Sequence, residues 1–266
     1  MNFFQRLDQR LLPAAGNVLA RLFRGAVRLR VFTAVTAVVA VTATLLVVHG
    51  AQRHQRSDPS LGDVLRVGVD EGGSIPVYVQ RAGDELAALQ GEQSVYALVS
   101  FTAYLGPDRL TPVLTGVALS SVFARVPLPG TQTELVRLGA YEVPRDVVAA
   151  MDATAARKAE EAVHYRRLLD KAANQPGDVR AVYLDGAIIA DKEATAYSEH
   201  CSCVYAAVIY AAPAGLRAVA ARPETRAVDP ITDLRRLDRT VFLPPLPEQA
   251  QVAGPLSSAA ASPAPS

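Results

Sequence analysis

Four side chains able to bind metal or exchange electrons, Glu199, His200, Cys201 and Cys203, fall in one run, Glu199-His200-Cys201-Ser202-Cys203, which holds both cysteines of the chain. Three chemistries fit these residue types. On an extended strand, residues two apart lie ~6.6 Å from each other on one face, near the ~6.8 Å upper limit between Cα atoms for a disulfide. A Cys201–Cys203 bond would therefore bend the strand and be readily reduced, as a thiol-exchange centre requires. Thiolates joined by the His200 imidazole and Glu199 would instead suit a soft ion, Cu(I) or Zn(II), although alternation sends His200 to the opposite face unless the chain turns there. The third reading is structural: two small buried residues, a local clip, or a bridge between copies. C-x-C is far less specific than paired C-x-x-C, and no cofactor is predicted beyond a Cu or Zn ion at this motif.

Nothing else in the chain names a reaction. G-x-S-x-G, H-E-x-x-H, G-x-G-x-x-G and P-loop sequences are all absent. His164 is alone on its predicted helix, and Asp185 and Asp191 sit in a stretch that reads as polar loop, where carboxylates are simply solvated.

The element that places these residues is Val31 to Gln52, 22 residues without a charged side chain. As a helix it would be roughly 33 Å long, against about 30 Å of hydrocarbon core. Six Arg precede it and two follow, so the positive-inside bias places the N-terminus in the cytoplasm and the rest outside. A cleaved signal peptide ending near Ala51 is the rival, but the basic region and the apolar run are both longer than such peptides have. The expectation is a signal-anchor: a single-pass protein of the cell membrane. Thr36, Ala40 and Thr44 share one helical face at four-residue intervals, the spacing for pairing of membrane helices in a homodimer. Residues 1–30 read as a basic amphipathic cytoplasmic segment against the lipid bilayer.

Charge narrows the partners. Residues 1–30 hold six Arg against Asp8, and Arg53 and Arg56 bring the sum to +7, so a chain of net charge +1 leaves −6 on residues 57 to 266. An acidic domain does not neutralise phosphates, which excludes nucleic acid. Only Lys158, Lys171 and Lys192 are lysines, a coding bias toward Arg and not a chemistry.

Residues 60–243 read as an extracytoplasmic α+β domain with a mainly antiparallel sheet and one long helix. Strands are expected at 63–69, 75–79, 94–105, 117–126, 135–138, 179–184 and 204–211, with 216–221 closing a hairpin. A short helix is expected at 83–90 and a long one at 145–173, which lacks Gly and Pro. Ser94–Val99 and Cys203–Val208 agree at four of six positions, which reads as shared strand chemistry and not as duplication. Residues 244–266, Pro-, Ala- and Ser-rich, read as a disordered tail. The expected function is a membrane-anchored interaction or scaffold module of the cell envelope with a protein partner there; the alternative is a tethered thiol oxidoreductase or metallochaperone.

Overall fold

The computed structural model describes residues 64–232 and 237–254, within a compact unit that starts at Val64. In chain order its elements are β1 (Leu65–Gly68), α1 (Ile75–Ala88), β2 (Val95–Leu105), α2 (Pro107–Leu114), β3 (Ala118–Ala124), β4 (Val136–Gly139), α3 (Arg145–Lys171), α4 (Gly177–Ser198), β5 (Val204–Ala211), α5 (Pro213–Ala220), β6 (Thr225–Ile231) and β7 (Thr240–Leu243).

Alternating Val, Ala, Tyr and Phe build a five-stranded sheet in the order β4-β3-β5-β2-β6, antiparallel at every pairing. Strands β2 and β3 both oppose β5, which lies between them, so they are parallel to each other and α2 connects them. In the same way β5 and β6 flank β2, and α5 connects them. Two split β-α-β units therefore interlock, with the α3–α4 hairpin inserted between them.

One face of the sheet is covered by helices: Leu110 and Val113 of α2, Leu216 and Val219 of α5, and Val147 and Met151 of α3 pack on Val99, Val122, Ala207 and Ile209. The other face meets a two-stranded parallel ribbon of β1 and β7, whose Val67 and Phe242, with Leu246, pack on Leu98, Phe123, Tyr205 and Val208. Tyr205 is skipped in the register of β5 with both neighbours, a bulge that turns its ring to the ribbon side. Helix α1 runs along the edge strand β6, with Tyr78 and Ala82 against Ala227, and so covers an edge that could otherwise pair with another chain.

The α+β class and the mainly antiparallel sheet are as expected, and the membrane architecture is corrected. Among the described residues no helix is long and apolar enough to cross a membrane, and the two longest, α3 and α4, carry charged residues along their length. The structure supports neither the transmembrane helix nor the single-pass topology. The segments read as cytoplasmic (1–30) and membrane-spanning (31–52), with Thr36, Ala40 and Thr44, lie outside the described residues.

Four further expectations are corrected. Residues 179–184 are not a strand but the start of the 22-residue α4, so there are two long helices and not one. Residues 75–79 open α1, whose buried Ile75, Tyr78, Ala82 and Leu86 recur at helical spacing, and 216–221 belong to α5 and the turn after it. The expected tail is packed as far as Gly254: Arg226 donates hydrogen bonds to the carbonyls of Leu246, Pro247 and Gln249, Leu246 and Ala253 are buried, and Val252 bridges to Ser74.

Candidate functional site

Glu199, His200, Cys201 and Cys203 sit where α4 gives way to β5. His200 has φ of 51°, the left-handed conformation in which helices commonly end. Its N–H bonds to the Tyr197 carbonyl at 3.0 Å and the Cys201 N–H reaches back to the Ala196 carbonyl at 3.1 Å, the two bonds of a Schellman motif. Glu199 is the C-cap of α4, exposed and without a side-chain partner among the described residues. The chain therefore turns at the motif, and a disulfide joins Cys201 to Cys203 with Cα atoms 5.3 Å apart.

The turn does not bring the imidazole to the sulfurs. His200 Nε2 lies 2.9 Å from Asp152 Oδ1 on α3, while Cys203 is 0 % exposed and Cys201 packs partly buried against the main core. Among the described residues no group of three or more His, Cys, Asp or Glu could hold a metal ion. All four motif residues are accounted for by a helix stop, a tie to α3 and a covalent clip.

A second polar cluster is buried at the base of the hairpin. Lys158, its side chain 4 % exposed, places Nζ at 2.6 Å from Glu134, 2.8 Å from Glu193 and 3.0 Å from Glu161. Burial pulls the ammonium's pKa down, but the hydrogen bonds to Glu134, Glu193 and Glu161 outweigh it and hold the group above the ordinary lysine value. Glu193 also accepts the Glu134 N–H at 2.9 Å. The cluster fastens the β3–β4 connection to both hairpin helices, and breaking a buried pair of this kind costs ~3–5 kcal/mol.

The third arrangement is a cleft of about 490 Å³ between the ribbon and the sheet, bordered by Phe123, Tyr205, Phe242, Leu135, Arg125 and Arg137 among others. Phe123 and Phe242 tilt against each other with ring centres 5.9 Å apart, and Tyr205 joins Phe123 at 6.4 Å. Strand β3 supplies Phe123, β7 Phe242, and the bulge in β5 Tyr205, so three separate elements converge on one apolar floor. Leu135, 59 % exposed, stands at the rim.

The two cleft arginines differ. Arg125, its side chain 3 % exposed, is neutralised by Glu248 and donates further bonds to the Tyr104 hydroxyl at 2.9 Å and the Thr131 carbonyl at 3.1 Å. Arg137, directly across from Phe123 in the β3–β4 register, donates from Nε to Ser121 Oγ at 3.0 Å. Its guanidinium carbon lies 5.1 Å from the Phe242 ring centre and 5.8 Å from that of Phe123, within cation–π range. Burial lowers its pKa, and among the described residues no carboxylate pairs with it.

Sequence reasoning did not single out this cleft. The one available signal was Val136-Arg137-Leu138, an arginine inside a short apolar strand, and in an Arg-rich chain that does not stand out. No protein-family model matches the chain, and neither a curated protein nor a solved structure matches it.

Proposed function

We propose that this chain is a non-catalytic, extracytoplasmic binding module whose ligand site is the cleft between the β1–β7 ribbon and the sheet. The cleft itself carries the reading: its volume falls within the ~300–1,000 Å³ of small-molecule sites, and like them it has an apolar floor with a few fixed polar groups. The rings of Phe123, Tyr205 and Phe242 are themselves packed in the core and show little of their surface to the cleft, while Leu135 exposes apolar surface at its rim. The Cys201–Cys203 clip supports an extracytoplasmic setting, because disulfides persist in oxidising compartments.

The alternative, a thiol oxidoreductase or metallochaperone at Cys201 and Cys203, draws less support. Thiol exchange needs a thiolate to reach a sulfur, and Cys203 has no exposed surface while Cys201 is partly buried against the core. His200, the candidate third ligand, is engaged by Asp152.

The test uses the neutral apolar dye N-phenyl-1-naphthylamine with the full chain and a rim variant, Leu135→Glu. Leu135 is largely solvent-exposed, so the substitution leaves the melting temperature unchanged. A saturable part of the dye fluorescence is expected to disappear in the variant, while dye taken up elsewhere on the chain is common to both proteins and cancels. Equal dye binding by both would overturn the cleft as the binding site.

A further inference from the structure

We infer that the cleft takes an apolar molecule carrying one carboxylate-type anionic head, and that the Arg137 guanidinium receives that head. This inference rests on the cleft being a binding site and adds the class of ligand.

The argument starts from the donors. A guanidinium has five N–H donors in a rigid fork, and Arg137 commits only Nε, to Ser121 Oγ. The Nη groups keep four donors with no acceptor among the described residues. Arg137 is exposed, and its bond to Ser121 and its approach to the rings of Phe242 and Phe123 hold the fork at the cleft. A carboxylate matches a fixed fork with two parallel hydrogen bonds, which a hydroxyl or amide does not.

Arg125 supplies the contrast within the same cleft. Its charge is cancelled by Glu248, three of its five donors are bonded to Tyr104, Glu248 and Thr131, and its side chain is 3 % exposed, so its charge is not presented to a ligand. Glu71 also borders the cleft and forms no ion pair with Arg137. The Arg137 charge is therefore left open to an anionic head, with the apolar body lying along the cleft toward Leu135.

Two dyes with one ring system separate this inference from the reading beneath it: 8-anilinonaphthalene-1-sulfonate carries an anionic group and N-phenyl-1-naphthylamine does not. In the full chain the anionic dye is expected to bind at least tenfold tighter at the Leu135-sensitive site. Arg137→Gln should weaken the anionic dye about tenfold and leave the neutral one within twofold, with an unchanged melting curve, and Arg137→Lys should recover part of the loss. Decanoate should displace the anionic dye and decanol should not. If neither dye has a Leu135-sensitive component, the binding-module reading fails. If the neutral dye has one but the anionic dye binds no tighter, or Arg137→Gln weakens both dyes equally, the anionic head is overturned and the binding site stands. Should Arg137→Gln melt early, Arg137→Lys and the decanoate–decanol pair decide: no displacement by decanoate overturns the inference.

Discussion

Asp229 lies on β6 with 5 % of its surface exposed, beside the buried Tyr78 of α1. Burial, reinforced by the nearby Glu85 and only partly countered by Arg81 and Tyr78, pushes the Asp229 carboxyl up to about 6, against ~3.9 in an unfolded chain. The folded state thus binds an extra proton between these values, so this group's contribution to stability is fully present below about pH 4 and is lost as pH rises through 6. Asp229→Asn removes the titration: the variant should match the wild type near pH 4 and exceed it by about 2–3 kcal/mol at pH 8. Urea unfolding at the two pH values checks this, and a difference that does not change with pH would show that Asp229 is not the linked group. At the scale of single residues the chemistry of side chains was legible in the sequence and their roles were not. An extended strand would hold Cys201 and Cys203 ~6.6 Å apart, whereas the chain, after the left-handed turn at His200, sets them at 5.3 Å. No glycine marks that turn, because histidine takes the position and is tied to Asp152. Arg137 is unmarked in the sequence for a different reason: that no carboxylate pairs with it among the described residues is visible only in the packed structure.

Gly186 sits in the middle of α4, where a glycine costs a helix ~1 kcal/mol relative to alanine. The neighbouring helix explains it: a Cβ at this position would lie 2.9 Å from the Tyr165 ring. Gly186→Ala should therefore give no stability gain in the wild type, and about 1 kcal/mol in a Tyr165→Ala background, where the helix propensity is released from the clash. Denaturant unfolding of the four proteins reads the coupling directly, and equal effects in both backgrounds would contradict the packing account. The same contact shows why α4 is hidden in the local sequence. Val179, Val182 and the Asp185-Gly186 pair look like a strand and a turn when read locally, and packing against α3 overrides that preference. The better signal was proline. Each of the five described helices has one at its first positions or at its N-cap: Pro76, Pro107, Pro144, Pro176 and Pro213. Proline is favoured there because its absent N–H would be unpaired in any case. Pro107 and Pro213 each follow a strand, a position equally compatible with a turn, so α2 and α5 are hidden in the sequence while β1, β2, β3, β4, β5 and α3 are legible from their residues.

Viewed as one molecule, the described unit repeats a plan. Strands β2 and β5, whose Val-Tyr-Ala sequences agree, are the first strands of the two split units and lie side by side at the centre of the sheet. Each is followed by an eight-residue helix that begins with proline. The buried Leu110 and Val113 stand at the same distances from Pro107 as Leu216 and Val219 do from Pro213. What breaks the plan is the α3–α4 hairpin, and its burial is uneven. Its base holds Val147, Met151, Thr154, Ala155, Lys158 and Ala162 on α3, with Ala187, Ala190, Glu193 and Tyr197 on α4. Between Tyr165 and Gly186, only Ala172 is buried. A buried alanine contributes little more than one methyl group's worth of hydrophobic stabilisation, ~1 kcal/mol, and the Arg166–Asp191 ion pair across the hairpin is exposed, which limits it to at most ~1 kcal/mol. The distal hairpin therefore adds little to the core it projects from, and shortening it removes chain that loses entropy on folding. Replacing residues 166 to 185 with a short Gly-Ser connection should leave the melting temperature within a few degrees of wild type, since ~1 kcal/mol corresponds to about 2–4 °C in a domain of this size. The cleft is formed by other elements, so the shortened chain should retain its Leu135-sensitive dye binding. Loss of cooperative melting would mean that the two split units depend on the whole hairpin, and loss of dye binding with melting intact would show that the distal turns support the ligand site.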